Sequence, residues 1–364
     1  MIRNKVRWGI IGCGDVTEVK SGPGFQVAEG SELVAVMRRT PGLAADYAAR
    51  HGVPKSYEDA DELITDPEVD AVYIATPPGT HLEYALKVCS AGKPAYVEKP
   101  MARNYAECLA MKEAFHEANL PLFVAYYRRA LPRFVNARDV IQSGAIGTLT
   151  GISYQYSSEH HRDVQGLIKA LTTGKDAVTD ETLELTQEAS LPWRYRAEEA
   201  GGGLFLDLGC HTLDIIDYIS GALADIHGVA SNISGHYRVE DTVALSFRNE
   251  HNVVGTAQWN FTASRRADEI LFTGDKGYFT ISTFGHEPAR LVLGEQVTEY
   301  DLPNPRHIQA PMIQQIVDTL LGRGKCASVG ETAARTSQVI DAALQSFYGG
   351  RSDEFWLRPE SWPR

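Results

Sequence analysis

"GIIGCGDVT", Gly9–Thr17, is the stretch on which the fold turns. The run Val6–Ile11 is short and apolar, as a buried strand is, and a helix opens just beyond the glycines. Gly12 allows the tight turn between them. Gly14 lets backbone N–H groups approach a pyrophosphate at the helix N-terminus. Gly12, Cys13, Gly14, Asp15 and Val16 are therefore candidate dinucleotide ligands. Thr17 stands where such fingerprints carry a third small residue, and a plain glycine turn is the competing reading.

The rhythm around this stretch supports a doubly wound sheet. Short apolar runs recur at Glu32–Val36, Ala71–Ile74, Ala95–Val97 and Leu122–Ala125. Helical patterns fill the gaps at Gly42–His51, Thr80–Ala91 and Asn104–Ala118. Strands alternating with helices of this length make β-α-β units and a parallel sheet. After Tyr126 the pattern changes. A helix is expected at Pro132–Ser143 and a strand at Thr148–Ser157, followed by a long polar stretch to Ala200 that reads as a loop or lid. Alternating runs such as "TVALSF" and "NVVGTAQWNF" between Ile226 and Tyr300 predict an antiparallel sheet with one open face. Helices near Ile308–Leu321 and Val329–Ser346 close the chain. The fold class is α/β: a Rossmann domain over 1–126, then an α+β domain over 127–364 with an open-faced, mainly antiparallel sheet.

Composition sets outer limits. The chain has 364 residues, enough for two cores, and a formal charge of −12. That charge opposes nonspecific binding to nucleic acid or to an acidic membrane surface. The five cysteines are scattered, with no C-x-x-C pair. Reduced thiols and a cytoplasmic setting are expected, with no structural zinc. No signal-like segment and no bilayer-length apolar run is visible.

Further motifs sit where the strands end, at the edge where ligands bind in open α/β folds. "VMRRT" places Arg38 and Arg39 after the second strand, where an acid would select NAD. Guanidinium groups there suit a 2′-phosphate, so NADP is expected, with NAD as the alternative. "ATPPGTH" follows the third strand and offers Thr76, Pro77 and His81 as cofactor contacts. The alternative for His81 is a first-turn or surface role. "VEKP" follows the fourth and brings Glu98 and Lys99. A lysine there can donate to a substrate oxygen and stabilise a developing alkoxide; a salt bridge to Glu98 is the alternative. In "GGGLFLDLGCHTLD", Gly201–Asp214, Asp207 and His211 are four apart and share one face of a regular helix. A carboxylate beside an imidazole suits a general base, and a buried structural histidine is the alternative. His160 and His161 are adjacent on the polar stretch and lack metal-ligand spacing, so no metal is expected.

"GCG", "TPP", "EKP" and "GGGxxxDxGxHxxD" in this order resemble the glucose–fructose oxidoreductase, inositol dehydrogenase and rhizopine-catabolism protein family (Gfo/Idh/MocA). "FVAYYRRALP", 123–132, and "GETAARTSQVIDA", 331–343, extend the resemblance over nearly the whole chain. It implies an NAD(P)-dependent sugar or cyclitol dehydrogenase with Lys99, Asp207 and His211 as catalytic residues. It also implies a homodimer or homotetramer built through the open sheet. Lys99, Asp207 and His211 would contact the substrate, with Tyr127, Arg128, Trp193 and Arg194 as further candidates; packing is the alternative role for these last four. Relatives of this fold include redox-cycling glycosidases and a transcriptional repressor, which define the rival readings.

Overall fold

The computed structural model of the chain describes residues 4–159, 191–351 and 354–362. These form two compact units. One comprises 1–136 with 302–337, the other 137–301 with 338–364.

The first unit is built on a six-stranded sheet of β1 (Val6–Ile11), β2 (Ser31–Met37), β3 (Lys55–Tyr57), β4 (Ala71–Ile74), β5 (Ala95–Val97) and β6 (Leu122–Val124). Its order is β3-β2-β1-β4-β5-β6, and every neighbouring pair is parallel. Parallel strands need helical crossovers, so both faces are covered and the strands carry no polar face. β4, β5 and β6 are buried along their whole length. A helix at Gly22–Val27, which the sequence did not announce, presses Phe25 onto the sheet. The Phe25 ring lies 4.9 Å from Trp8 and 5.2 Å from Tyr73, and Tyr73 stacks on Tyr96 at 4.8 Å. Aromatic pairs of this kind contribute about 0.5–1.5 kcal/mol each beyond area burial. The helices expected at 42–51, 80–91 and 104–118 form at Leu43–His51, His81–Ser90 and Tyr105–Glu117. A short helix at Ala60–Thr65 and the edge strand β3 were not foreseen.

The second unit is built on an eight-stranded sheet: β7 (Leu149–Ser157), β8 (Leu223–Ser231), β9 (Thr242–Asn249), β10 (Val254–Asn260), β11 (Ala267–Gly274), β12 (Tyr278–Ile281), β13 (Ala289–Leu293) and β14 (Gln296–Tyr300). The order is β14-β13-β12-β11-β7-β10-β9-β8. Pairing is antiparallel except between β7 and β10. One face carries Tyr154, Tyr156, Leu245, Phe247, Trp259, Ile270 and Phe272, all buried. The helix Cys210–Ser220 is buried along nearly its whole length, and Phe205 just before it meets Trp259 edge-on at 4.8 Å. The opposite face carries Gln155, Thr256, Gln258 and Glu269, all exposed. This alternation is the period-2 signature read in the sequence. Most of the polar stretch before Ala200, including His160 and His161, lies outside the described residues.

Phe25→Ala removes a fully buried ring from the centre of the first unit. The expected cost is about 3–5 kcal/mol, read as a large fall in denaturation midpoint. A loss under about 1 kcal/mol would contradict this packing.

Candidate active site

The sheet of the first unit ends along one line. Ile11 is in register with Met37 on one side and Ile74 on the other; Ile74 pairs with Val97, and Val97 with Val124. The candidate motifs start just past these residues, so parallel pairing delivers them to one edge.

Gly12 has φ +89°, which favours glycine. A Cβ there would also lie 2.8 Å from Thr76. The N–H groups of Gly12 and Cys13 both donate to Met37 O, at 2.9 and 3.1 Å. Thr17, the departure from the fingerprint, is fully buried and closes the turn. Its hydroxyl accepts from Gly14 N at 3.0 Å and donates to Gly14 O at 2.8 Å. Gly14 differs from Gly12. A Cβ on it would meet no protein atom closer than Gly12 O at 3.8 Å. Nothing in the protein demands glycine there, as expected if the demand comes from a close-approaching ligand. Asp15 is exposed and Val16 half-buried. Burial pushes the Cys13 thiol up to about 11, with Arg38 pulling the other way, so it stays protonated near neutrality.

Arg38 and Arg39 are exposed, and Arg38 donates to Cys13 O at 3.3 Å. One guanidinium is thereby tied to the glycine turn. Thr76 accepts from the Thr80 hydroxyl at 2.8 Å, and Pro77 O accepts from the same hydroxyl at 3.1 Å. His81 is fully buried, so it is not a surface residue. Its Nε2 faces Thr76 O at 2.8 Å and its Nδ1 faces Pro100 O at 3.1 Å. It joins the "TPP" and "EKP" loops through their carbonyls. Burial pushes its pKa down, against the pull of those carbonyls.

The Glu98 carboxylate accepts from Gln309 Nε2 at 2.7 Å, from the Tyr73 hydroxyl, and from Lys99 N at 3.0 Å. Tyr96 donates to Gln309 Oε1 at 3.0 Å. Glu98 is thus fixed in the core, and Lys99 emerges half-buried from it. The Lys99–Pro100 peptide is cis. Tyr127 and Arg128 are buried side by side, with Arg128 donating to the Tyr127 hydroxyl at 3.0 Å.

In the second unit, Phe205–Gly209 winds as a π-helix before the α-helix Cys210–Ser220. Asp207 lies in the wider winding and His211 in the regular one, so their spacing is not that of a single α-helix. A Cβ at Gly209 would strike the Phe205 ring at 2.4 Å, so glycine lets that ring lie against the backbone. Asp207 pairs with Arg194, Nε to Oδ2 3.5 Å, and the Arg194 guanidinium lies 5.3 Å over the Trp193 ring. Trp193, Arg194 and Asp207 are therefore together. His211 is buried and meets Phe284 edge-on at 6.0 Å. Asp268 fixes the Phe284 loop by accepting from the backbone N–H groups of Thr283, Phe284 and Gly285. It also accepts from the Tyr154 hydroxyl at 3.1 Å.

Sequence reading missed Gln309, Asp268 and Glu240. Glu240 is fully buried, and both its carboxylate oxygens accept from Gly203 N, at 3.0 and 2.9 Å. The one available signal was the acidic pair Glu240–Asp241 directly ahead of an alternating strand. Among the described residues no three His, Cys, Asp or Glu side chains gather as a metal set, and no helix is long and apolar enough to cross a membrane. The five cysteines form no disulfide.

Burial pushes the Glu240 carboxyl up from 4.5 to about 7, against hydrogen bonds from Tyr348 and Gly203. As pH rises, the unfolded chain releases this proton first, so stability falls between about pH 4.5 and 7. Over that window the melting temperature of the natural chain should fall relative to Glu240→Gln. Parallel curves would contradict the assignment.

Residues 6–126 match the family model for oxidoreductases with an NAD-binding Rossmann fold, and residues 134–280 match that of the GFO/IDH/MocA C-terminal domain. Oxidoreductase P35 of Formosa agariphila is 33% identical over 93% of this chain and 98% of its own. The 1,5-anhydro-D-fructose reductase of Ensifer adhaerens is 26% identical over 89% and 91%. A solved levoglucosan dehydrogenase in complex with NADH and levoglucosan shares the fold at TM-score 0.78 and 21% identity, over 94% of this chain and 97% of that one. With 6–126 and 134–280 matched in order and a relative 33% identical over 93% of its length, the chain belongs to the GFO/IDH/MocA oxidoreductases.

Proposed function

We propose that the chain is an NAD(P)-dependent dehydrogenase or reductase acting on a carbinol or carbonyl carbon of a sugar, cyclitol or sugar derivative. The observation that carries this reading is the common register line at Met37, Ile11, Ile74 and Val97. It hands the glycine turn, the arginine pair, the "TPP" loop and Lys99 to one edge of one sheet. The relatives named for 1,5-anhydro-D-fructose and levoglucosan support the substrate class.

A bound nicotinamide supplies the hydride acceptor or donor. The protein handles position and proton. The turn at Gly12–Val16 binds the pyrophosphate, and Gly14 leaves room for it. Arg38 and Arg39 take a 2′-phosphate, which favours NADP; NAD is the alternative, as in the NADH complex of the levoglucosan dehydrogenase. In the oxidative direction His211 accepts the hydroxyl proton and Lys99 steadies the negative charge that develops on that oxygen. Asp207, paired with Arg194, sets the charge beside His211. Trp193 offers an apolar face for a sugar ring, and Tyr127 and Arg128 offer hydroxyl partners. Val229, Val254 and Val297 stand about half or more exposed on strands β8, β10 and β14. These apolar side chains support assembly of like copies through the second sheet.

Gly14→Val is expected to keep the melting temperature of the natural chain and to lose NAD(P)H binding, read by fluorescence titration. Retained binding would remove the glycine turn from the cofactor site. His211→Asn and Lys99→Met are each expected to cut turnover about 10²–10⁴-fold with cofactor affinity intact. The screen pairs NADP and NAD with levoglucosan, 1,5-anhydro-D-fructose, aldoses and cyclitols in both directions. Loss of cofactor binding in step with activity would overturn the assigned roles.

A further inference from the structure

The turn that carries Asp207 and His211 is held from behind by groups that the reaction itself does not use. Gly201–Gly203 leads into it, and Leu206 N donates to Gly203 O at 3.1 Å. At one end of the triplet, Arg351 Nη2 donates to Gly201 O at 2.6 Å. At the other, Gly203 N donates to the Glu240 carboxylate. A Cβ on Gly203 would lie 2.2 Å from Glu240 O, so the two backbones touch and only glycine fits.

Each clamp is itself braced. The Tyr348 hydroxyl donates to Glu240 Oε2, and Glu240 N donates back to the Tyr348 oxygen at 3.4 Å. Arg351 donates through Nε to Asp341 at 3.0 Å and lies over the rings of Tyr348, at 5.0 Å, and Phe355, at 4.4 Å. Its side chain is 1% exposed. Burying a carboxyl and a guanidinium is costly, and hydrogen bonds offset that cost: Glu240 accepts from Gly203 N and the Tyr348 hydroxyl, and Arg351 donates through Nε and Nη2. Two such groups on one glycine triplet specify its backbone position more tightly than apolar packing would.

We propose that Glu240 is a positioning residue of the enzyme: with Tyr348 and Arg351 it clamps Gly201–Gly203 and so sets where Asp207 and His211 stand. This rests on the reading of Asp207 and His211 as the proton-handling pair. Glu240 touches the glycine backbone and acts through His211.

The test uses the full chain with Tyr348→Phe and Glu240→Gln. Tyr348→Phe keeps the ring packed on Phe355 and Trp362, at 4.9 and 4.6 Å, and removes only the hydroxyl. Glu240→Gln keeps the shape and an acceptor oxygen. In protein labelled with ¹⁵N-histidine, the His211 ring signal is identified by its loss in His211→Asn. That signal is expected to move in both clamp variants while cofactor affinity stays put. Turnover per folded molecule is expected to fall about 10–100-fold, the scale of a misplaced reacting group. Adding Tyr348→Phe to His211→Asn is expected to cost nothing further. An unmoved His211 signal in both variants would overturn the clamp. If His211→Asn is inactive and both clamp variants turn over like the natural chain, the clamp alone falls. If His211→Asn turns over normally, the reading of the pair falls first and the clamp with it.

Discussion

Parallel register is the constraint on which the first unit depends. Hydrogen bonding puts Met37, Ile11, Ile74 and Val97 side by side, and the chain leaves the sheet just beyond each of them. Two glycines, an arginine pair, a proline turn and a lysine, up to nearly ninety residues apart in sequence, therefore reach the same edge. Slipping one strand by a residue would exchange the side chains on its two faces, and both helix layers would have to repack. Packing and chemistry are fixed by the same hydrogen bonds. His81 adds a second tie, since each of its ring nitrogens faces a carbonyl of a different loop.

The second unit reaches precision by a different route. Its sheet is covered on one face by the helix that carries His211, and the turn before that helix is irregular. A π-winding and a glycine triplet have little intrinsic rigidity, so side chains from distant segments hold them. Glu240 and Arg351 grip the triplet, Tyr348 braces Glu240, and Asp268 grips the loop whose Phe284 meets His211. Hydrogen bonds between groups buried this deeply favour one arrangement of the backbone they hold.

Much of this was legible in the sequence because its signals were local. Glycines at turns, prolines after strands and period-2 alternation each act within a few residues, and the main strands and helices fall where those signals placed them. The helix Gly22–Val27 was not legible, because a segment reading "GPGFQV" has poor helix propensity and is held by Phe25 packing on the sheet. β3 was missed because a three-residue edge strand, "KSY", carries no pattern. The partnership of Asp207 with Arg194 was invisible, since the π-winding at Phe205–Gly209 breaks the spacing argument. Gln309 and Glu98 are 211 residues apart, and no local pattern announces their bond.

The most direct measurement is a fluorescence titration of the intact natural chain with NADPH and with NADH. Saturable binding of one cofactor per chain is expected, with NADPH bound more tightly than NADH, as the role proposed for Arg38 and Arg39 toward a 2′-phosphate requires. Failure of both cofactors to bind would contradict the reading of the common sheet edge as a dinucleotide site.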